Sequence, residues 1–212
     1  MRGVIKQVFF GFALGTACFA ASAGVSTYSD RTTFNVQGTI WENNNFADFG
    51  ASYNYPGTPF TRGHVTYTSA ENLTIGAGSD YSIGDFQTVM SNNYWSPLTG
   101  TISNQYSMLG FDAAVTSGAV NITVSTNLNT YSFNGLSLPN GSPTFAFEGF
   151  KTTGGGEYFT QFRIDTLGAG YLPGISNVTL GTLTPIPEPE TYALMLAGLG
   201  LLSLAMLRKA KH

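Results

Sequence analysis

Few residues of this chain have the types that chemistry needs, and their spacing narrows them further. Between residues 24 and 184 there is one histidine, His64, and no cysteine, Cys18 being the only one in the chain. A His-based metal centre or a Cys–His dyad cannot be assembled from that stock, and neither can a disulfide. A Ser-His-Asp arrangement through His64 is arithmetically possible, but no Gly-x-Ser-x-Gly elbow accompanies it. Glu148 and Glu157 are the remaining acid–base pair, of the kind a glycosidase uses. They flank Gly154-Gly155-Gly156, where carboxylates ordinarily serve as solvated turn residues. No helix signal or Lys-Ser follows these glycines, so they do not read as a phosphate loop. The sequence calls for no cofactor.

Binding chemistry has better material. Tyr53-Asn54-Tyr55-Pro56 and Asn92-Asn93-Tyr94-Trp95-Ser96-Pro97 set aromatic rings beside amides in loop-like segments. A ring stacks on the apolar face of a sugar while amides fix its hydroxyls, which makes Tyr53, Tyr55, Tyr94 and Trp95 candidate glycan contacts. The competing reading folds Tyr94 and Trp95 inward beneath long loops. Asp48, Asp80, Asp85 and Asp165 are the oxygen donors a calcium ion would want, but none has the dense spacing of a calcium loop, and no metal is expected.

The elements that must position these residues are strands. Val120, Ile122 and Val124 alternate with Asn121, Thr123 and Ser125; His64 to Thr68, Tyr131 to Phe133 and Thr144 to Phe147 alternate likewise. In the same pattern Tyr158, Phe162 and Ile164 share a face opposite Phe159, Gln161 and Arg163, and Val178 and Leu180 close the series. A period of two with one buried face is the signature of antiparallel sheet packed on a partner sheet. No stretch sustains a helical period over eleven residues. Short strands separated by regular glycine turns predict an all-β fold: a two-sheet antiparallel β-sandwich of jelly-roll type.

Composition supports a folded core and excludes one partner class. Hydrophobic residues make up 42% of the 212 and charged residues only 10%. Residues 24–184 carry four basic side chains against ten acidic ones, a balance of −6. A chain so poor in cations cannot neutralise a phosphate backbone, so nucleic acid is not its partner.

Both ends read as addresses. Arg2 and Lys6 precede an apolar run from Val8 to Ala20, and Ala21-Ser22-Ala23 then fits a small-x-small cleavage site through Ala21 and Ala23, with the cut before Gly24. Lipidation at Cys18 is disfavoured, because Gly15 stands where such a signal wants leucine. At the other end, Pro185, Pro187 and Pro189 withhold backbone donors at alternate positions. Thr191 to Leu207 then runs uncharged up to Arg208, Lys209 and Lys211. As a transmembrane helix this run spans about 25 Å, with Arg208, Lys209 and Lys211 as a cytoplasmic stop.

Pro187-Glu188-Pro189, an apolar span and a basic tail together resemble the PEP-CTERM sorting segment. The resemblance implies export in a diderm bacterium, transient anchoring, and recognition by an exosortase, a membrane protease that cuts near the motif. It also implies association with exopolysaccharide or biofilm matrix. A second resemblance lies inside the sandwich. Arg31-Thr32-Thr33-Phe34, Asn45 to Gly50, Met108 to Asp112, Phe147-Glu148-Gly149-Phe150 and Gly174 to Val178 are similar to β-sandwich domains of secreted PEP-CTERM proteins. No catalytic residue transfers from it.

The chain therefore divides into a signal peptide (1–23), a β-sandwich domain (24–184) and a sorting segment (185–212). The expected function is that of an exported, non-enzymatic envelope or matrix protein, with an exosortase, the membrane and an exopolysaccharide as partners. An extracellular polysaccharide-acting enzyme and a permanently anchored glycan-binding surface protein are the alternatives.

Overall fold

The computed structural model describes residues 24–49, 53–77, 87–91, 96–115, 119–136, 145–167, 173–184, 194–202 and 206. The expected signal peptide with Ala21 and Ala23, Cys18, Tyr94, Trp95, Asp80, Asp85, the Pro187-Glu188-Pro189 motif and the Arg208, Lys209 and Lys211 tail lie outside these residues.

Among the described residues there are thirteen strands, numbered in chain order, in two antiparallel sheets. The first sheet runs β1 (Val25–Tyr28), β11 (Ala146–Thr152), β8 (Met108–Val115), β13 (Pro173–Leu183), β6 (Gln87–Ser91) and β5 (Leu73–Ala77). Strand β2 (Gly38–Asn44) pairs with the C-terminal half of β13. The second sheet runs β10 (Thr130–Leu136), β9 (Val120–Thr126), β12 (Phe159–Thr166), β7 (Leu98–Tyr106), β4 (Val65–Thr68) and β3 (Phe60–Arg62). From β7 onward the chain crosses between sheets at nearly every step, which is the jelly-roll way of building a sandwich.

The period-two reading holds where strands are regular. Val120, Ile122 and Val124 are fully buried and their neighbours are not. Phe111 and Phe162 meet across the core at 5.1 Å, and Phe150 stacks toward Phe111 and Phe133. Gly100 lies under the Phe162 ring: a Cβ there would stand 2.2 Å from ring atoms, so only glycine leaves the ring its place.

One expected face is corrected. Phe159 is fully buried on the same side as Phe162 and Ile164, not opposite them. The register of β12 against both β9 and β7 shifts between Phe159 and Gln161. This bulge adds a residue and reverses the parity on either side of Thr160. A pure alternation cannot anticipate it.

The outer face of the first sheet is also closed. The five-residue helix α1 (Arg31–Asn35), capped by Asp30 accepting from the Thr33 N–H at 2.7 Å, lays Phe34 against Phe147 and Met108. Arg31 donates to Asp112 Oδ1 at 2.8 Å, Thr179 Oγ1 at 2.7 Å and the Asn177 carbonyl at 3.1 Å, with Phe147 beneath its guanidinium. Asn177 Nδ2 donates to the other Asp112 oxygen at 2.7 Å. Four of the short motifs that resemble other secreted sandwiches thus meet in one clasp, whose work is structural.

Candidate functional site

Tyr53 and Tyr55 are exposed, at 43% and 67%. Asn54 between them exchanges both backbone hydrogen bonds with Ile75 at 2.8 Å, and its side chain donates to the Phe49 carbonyl at 3.0 Å. Asn54 is thereby locked as an extra rung on the edge of β5. Alternation sends Tyr53 and Tyr55 to the opposite side, about 7 Å apart along the chain. The result is a two-ring platform on an anchored backbone.

A third exposed aromatic, Trp41, escaped the sequence reading because it sits inside a strand rather than in an Asn-rich loop. It is 66% exposed, and its indole N–H donates to Thr182 Oγ1 at 2.9 Å. Leu180 pairs with Glu42 and Gly181 with Ile40, so Trp41 is the extra residue of a bulge. Thr39, Trp41 and Asn43 are all exposed while the residues between them are partly covered, so Trp41 stands on the exposed positions of the strand's own alternation.

The two glutamates have different surroundings. Glu157 is 3% exposed, and its Oε1 accepts from Thr126 Oγ1 at 2.7 Å and from the Tyr131 hydroxyl at 3.0 Å. It braces β9 and β10 from inside the sandwich. Glu148 shares the inward side of β11 with Phe150 and stands opposite Phe111. The expected solvated turn flank is corrected for both: the hairpin folds their side chains toward the core.

Burial holds the Glu148 carboxyl above its ordinary range. The folded chain therefore binds this proton more tightly than the unfolded chain. Glu148 weakens the fold as pH rises through its folded-state pKa, and the penalty vanishes below the unfolded value. Glu148→Gln is expected to raise the urea midpoint at about pH 7.5 and to leave it nearly unchanged at about pH 4. A gain that is the same at both pH values would show that packing, not charge, sets the difference.

His64 is half-exposed at the head of β4, where its Nδ1 lies 2.7 Å from Glu42 Oε2 and 3.0 Å from the Tyr106 hydroxyl. The His64 backbone N–H also donates to Glu42. The trio ties β2 of one sheet to β4 and β7 of the other. Asp48 is engaged by both Arg62 terminal nitrogens at 2.6 and 2.8 Å, and Asp165 by Arg163 at 2.7 Å. Among the described residues no three His, Cys, Asp or Glu side chains gather as a metal site.

A cavity of about 270 Å³ opens beneath the triple-glycine turn, lined by residues 154–158 with Gln105, Ser107, Thr152 and Leu183. It marks the end of the sandwich from which the chain departs at Leu183. Beyond it, residues 194–202 are helical and Leu194, Met195, Leu196, Leu199, Leu201 and Leu202 are all exposed. Among the described residues no helix is long and apolar enough to cross a membrane. An apolar surface on every side of this stretch is what a helix destined for lipid presents.

The model of the PEP-CTERM protein-sorting motif matches residues 185–209. Residues 185–209 are a PEP-CTERM sorting segment. This segment follows the last strand by one residue, so the sandwich is the cargo of an exosortase-directed export route. A PEP-CTERM protein is held in the membrane only until cleavage and is then secreted. No curated protein sequence matches the chain. Among solved structures, a mutant of the family 29 carbohydrate-binding module CBM29-2 is 14% identical at a TM-score of 0.39, covering 66% of this chain and 99% of that one. CBM29_1 from Piromyces equi is 7% identical at 0.33, covering 76% and 91%. The xylan-binding module CBM86 from Roseburia intestinalis is 17% identical at 0.30, covering 57% and 97%. Scores this low say nothing about what this chain binds.

Proposed function

We propose that the processed domain, from Gly24 to the neighbourhood of Pro187–Pro189, is a non-enzymatic protein of the cell surface or exopolysaccharide matrix of a diderm bacterium, and that it holds a neutral polysaccharide. The observation that carries the binding half is the Tyr53–Tyr55 platform. Two exposed rings on a backbone pinned to β5 lose little freedom when a sugar stacks on them, which is where much of the cost of binding lies. The balance of −6 over residues 24–184 favours a neutral glycan over a polyanion. The non-enzymatic half is supported by Glu157, whose Oε1 is held by Thr126 and Tyr131, and by Glu148, which stands opposite Phe111 on the inward side of β11.

Affinity electrophoresis in gels cast with neutral polysaccharides tests the reading. Tyr55→Ala is expected to weaken retardation by about 1–2 kcal/mol, a 5- to 30-fold loss of affinity. Its urea midpoint should stay with that of the parent, because the ring is mostly exposed. Parent protein that no neutral glycan retards would overturn the binding proposal and leave a structural matrix role. Trp95→Ala in the same gels separates the other candidate patch: lost binding at full stability marks a contact, whereas a stability loss of about 3–5 kcal/mol marks a core residue.

A further inference from the structure

Both chain ends leave the sandwich from one pole. Strand β1 starts at Val25 opposite Thr152, and the Gly24 carbonyl accepts from the Thr153 N–H at 2.9 Å. Strand β13 ends at Leu183 opposite Gly38, with the Leu183 N–H donated to Ser107 Oγ at 2.8 Å. Ser107 also accepts at its carbonyl from the Thr152 N–H, so the two ends are stitched together. The signal segment and the sorting segment are therefore attached at the same place.

That place carries exposed apolar side chains. Val36, at the end of α1 and two residues before Gly38, is 75% exposed. Trp41 reaches back to Thr182, one residue from the last of β13. Thr191, where the apolar run begins, lies eight positions after Leu183, with seven residues between them. Eight positions reach at most about 26–29 Å. While the run is in the bilayer, the pole cannot stand further than that from it, and the sorting motif lies within the same interval.

We propose that this pole rests on the lipid surface while the chain is anchored, with Trp41 and Val36 seated at the headgroup boundary. Indole is the side chain that prefers this boundary, having an apolar body and a polar N–H. The occupant is neutral lipid. The domain's balance is −6, and Lys151 at the same end is engaged by Gln37 Oε1 at 3.1 Å and the Tyr28 ring. Two side chains make a weak contact, effective only while the tether keeps the local lipid concentration high. Cleavage near Pro187–Pro189 removes the tether, and the domain leaves without a further release step. The inference rests on the sorting motif and is independent of the polysaccharide proposal.

The test uses the full chain reconstituted in phosphatidylcholine vesicles that hold no other protein. Trp95→Phe leaves Trp41 as the sole tryptophan. Its emission should shift to the blue and be quenched by phosphatidylcholine brominated near the headgroup end of the acyl chains. A long flexible Gly/Ser insert after Thr184 should reverse both effects. Should Trp95→Phe disturb the fold, the parent minus Trp41→Phe difference gives the same reading. Trp41 emission that stays at its water-exposed wavelength, unquenched by every bromolipid position, overturns the proposal and leaves a protein partner as the occupant. Quenching that persists with the long insert overturns the tether-dependent release.

Discussion

Replacing Pro187-Glu188-Pro189 by three alanines is expected to leave the chain in the membrane fraction at its unprocessed mass. The motif lies within the matched segment 185–209, between the last strand and the apolar run. A protease embedded in the same membrane meets the substrate there. Prolines at 185, 187 and 189 keep that stretch out of helix and strand by removing backbone donors at alternate positions. Three alanines restore the donors and favour extending the helix toward the domain. The transmembrane run and the basic tail are untouched, so anchoring should persist while processing fails. Immunoblots of membrane, periplasmic and medium fractions read the outcome directly. Release of a shortened product from the mutant at the parent's rate would show that the segment is cut without reading the motif.

The second large effect is on the fold. Ile122→Asp is expected to remove a large part of the domain's stability, and Thr123→Asp to cost little. Ile122 is fully buried within the main core, where a carboxylate would find no partner. Burying an unpaired carboxylate, or neutralising it to bury it, and losing the isoleucine packing together cost several kcal/mol, a large part of a domain's margin of about 5–15 kcal/mol. Thr123 is half-exposed on the opposite face of β9, beside Ser132 at 3.4 Å and paired in register with Arg163. A carboxylate at that position keeps its water and stands across from Arg163, which Asp165 already engages, so the cost should stay below about 1 kcal/mol. Urea titration followed by circular dichroism compares the two. Equal losses would mean that the buried face of β9 is misassigned. Neither titration should depend on reductant, since residues 24–184 contain no cysteine.

How much could be read without coordinates depends on the range of the interaction concerned. The end signals are linear codes, a charge, an apolar length and a few prolines, and translocation and sorting machineries read them as such. The sorting segment was legible for that reason. The sheet class was legible because alternation is a property of residues two apart: Val120, Ile122 and Val124 disclose their face with no knowledge of what packs against it. Its failure at Phe159 has the same origin. A bulge depends on what β7 and β9 offer opposite Thr160, which lies tens of residues away.

The site belongs to the other category. Glu157 looks like a solvated turn residue until Thr126 and Tyr131, some thirty positions earlier, close on its carboxylate. Arg31 looks like one of few free cations until Asp112, Asn177 and Thr179 converge on it from strands β8 and β13. Trp41 neighbours the apolar Ile40 in sequence, and only the structure shows that Ile40 takes the covered side of β2 and Trp41 the exposed one. Tyr53 and Tyr55 were legible as an aromatic pair, but the bridge that pins the Asn54 backbone between them to Ile75 was not. The sequence by itself determined the C-terminal sorting address, the all-β class and the lack of cysteine between residues 24 and 184, because each follows from residue identity or short-range period. Only the tertiary structure decided which carboxylates are spent in the core, which rings face water and that both ends leave from one pole, because those outcomes depend on strand register between segments far apart in the chain.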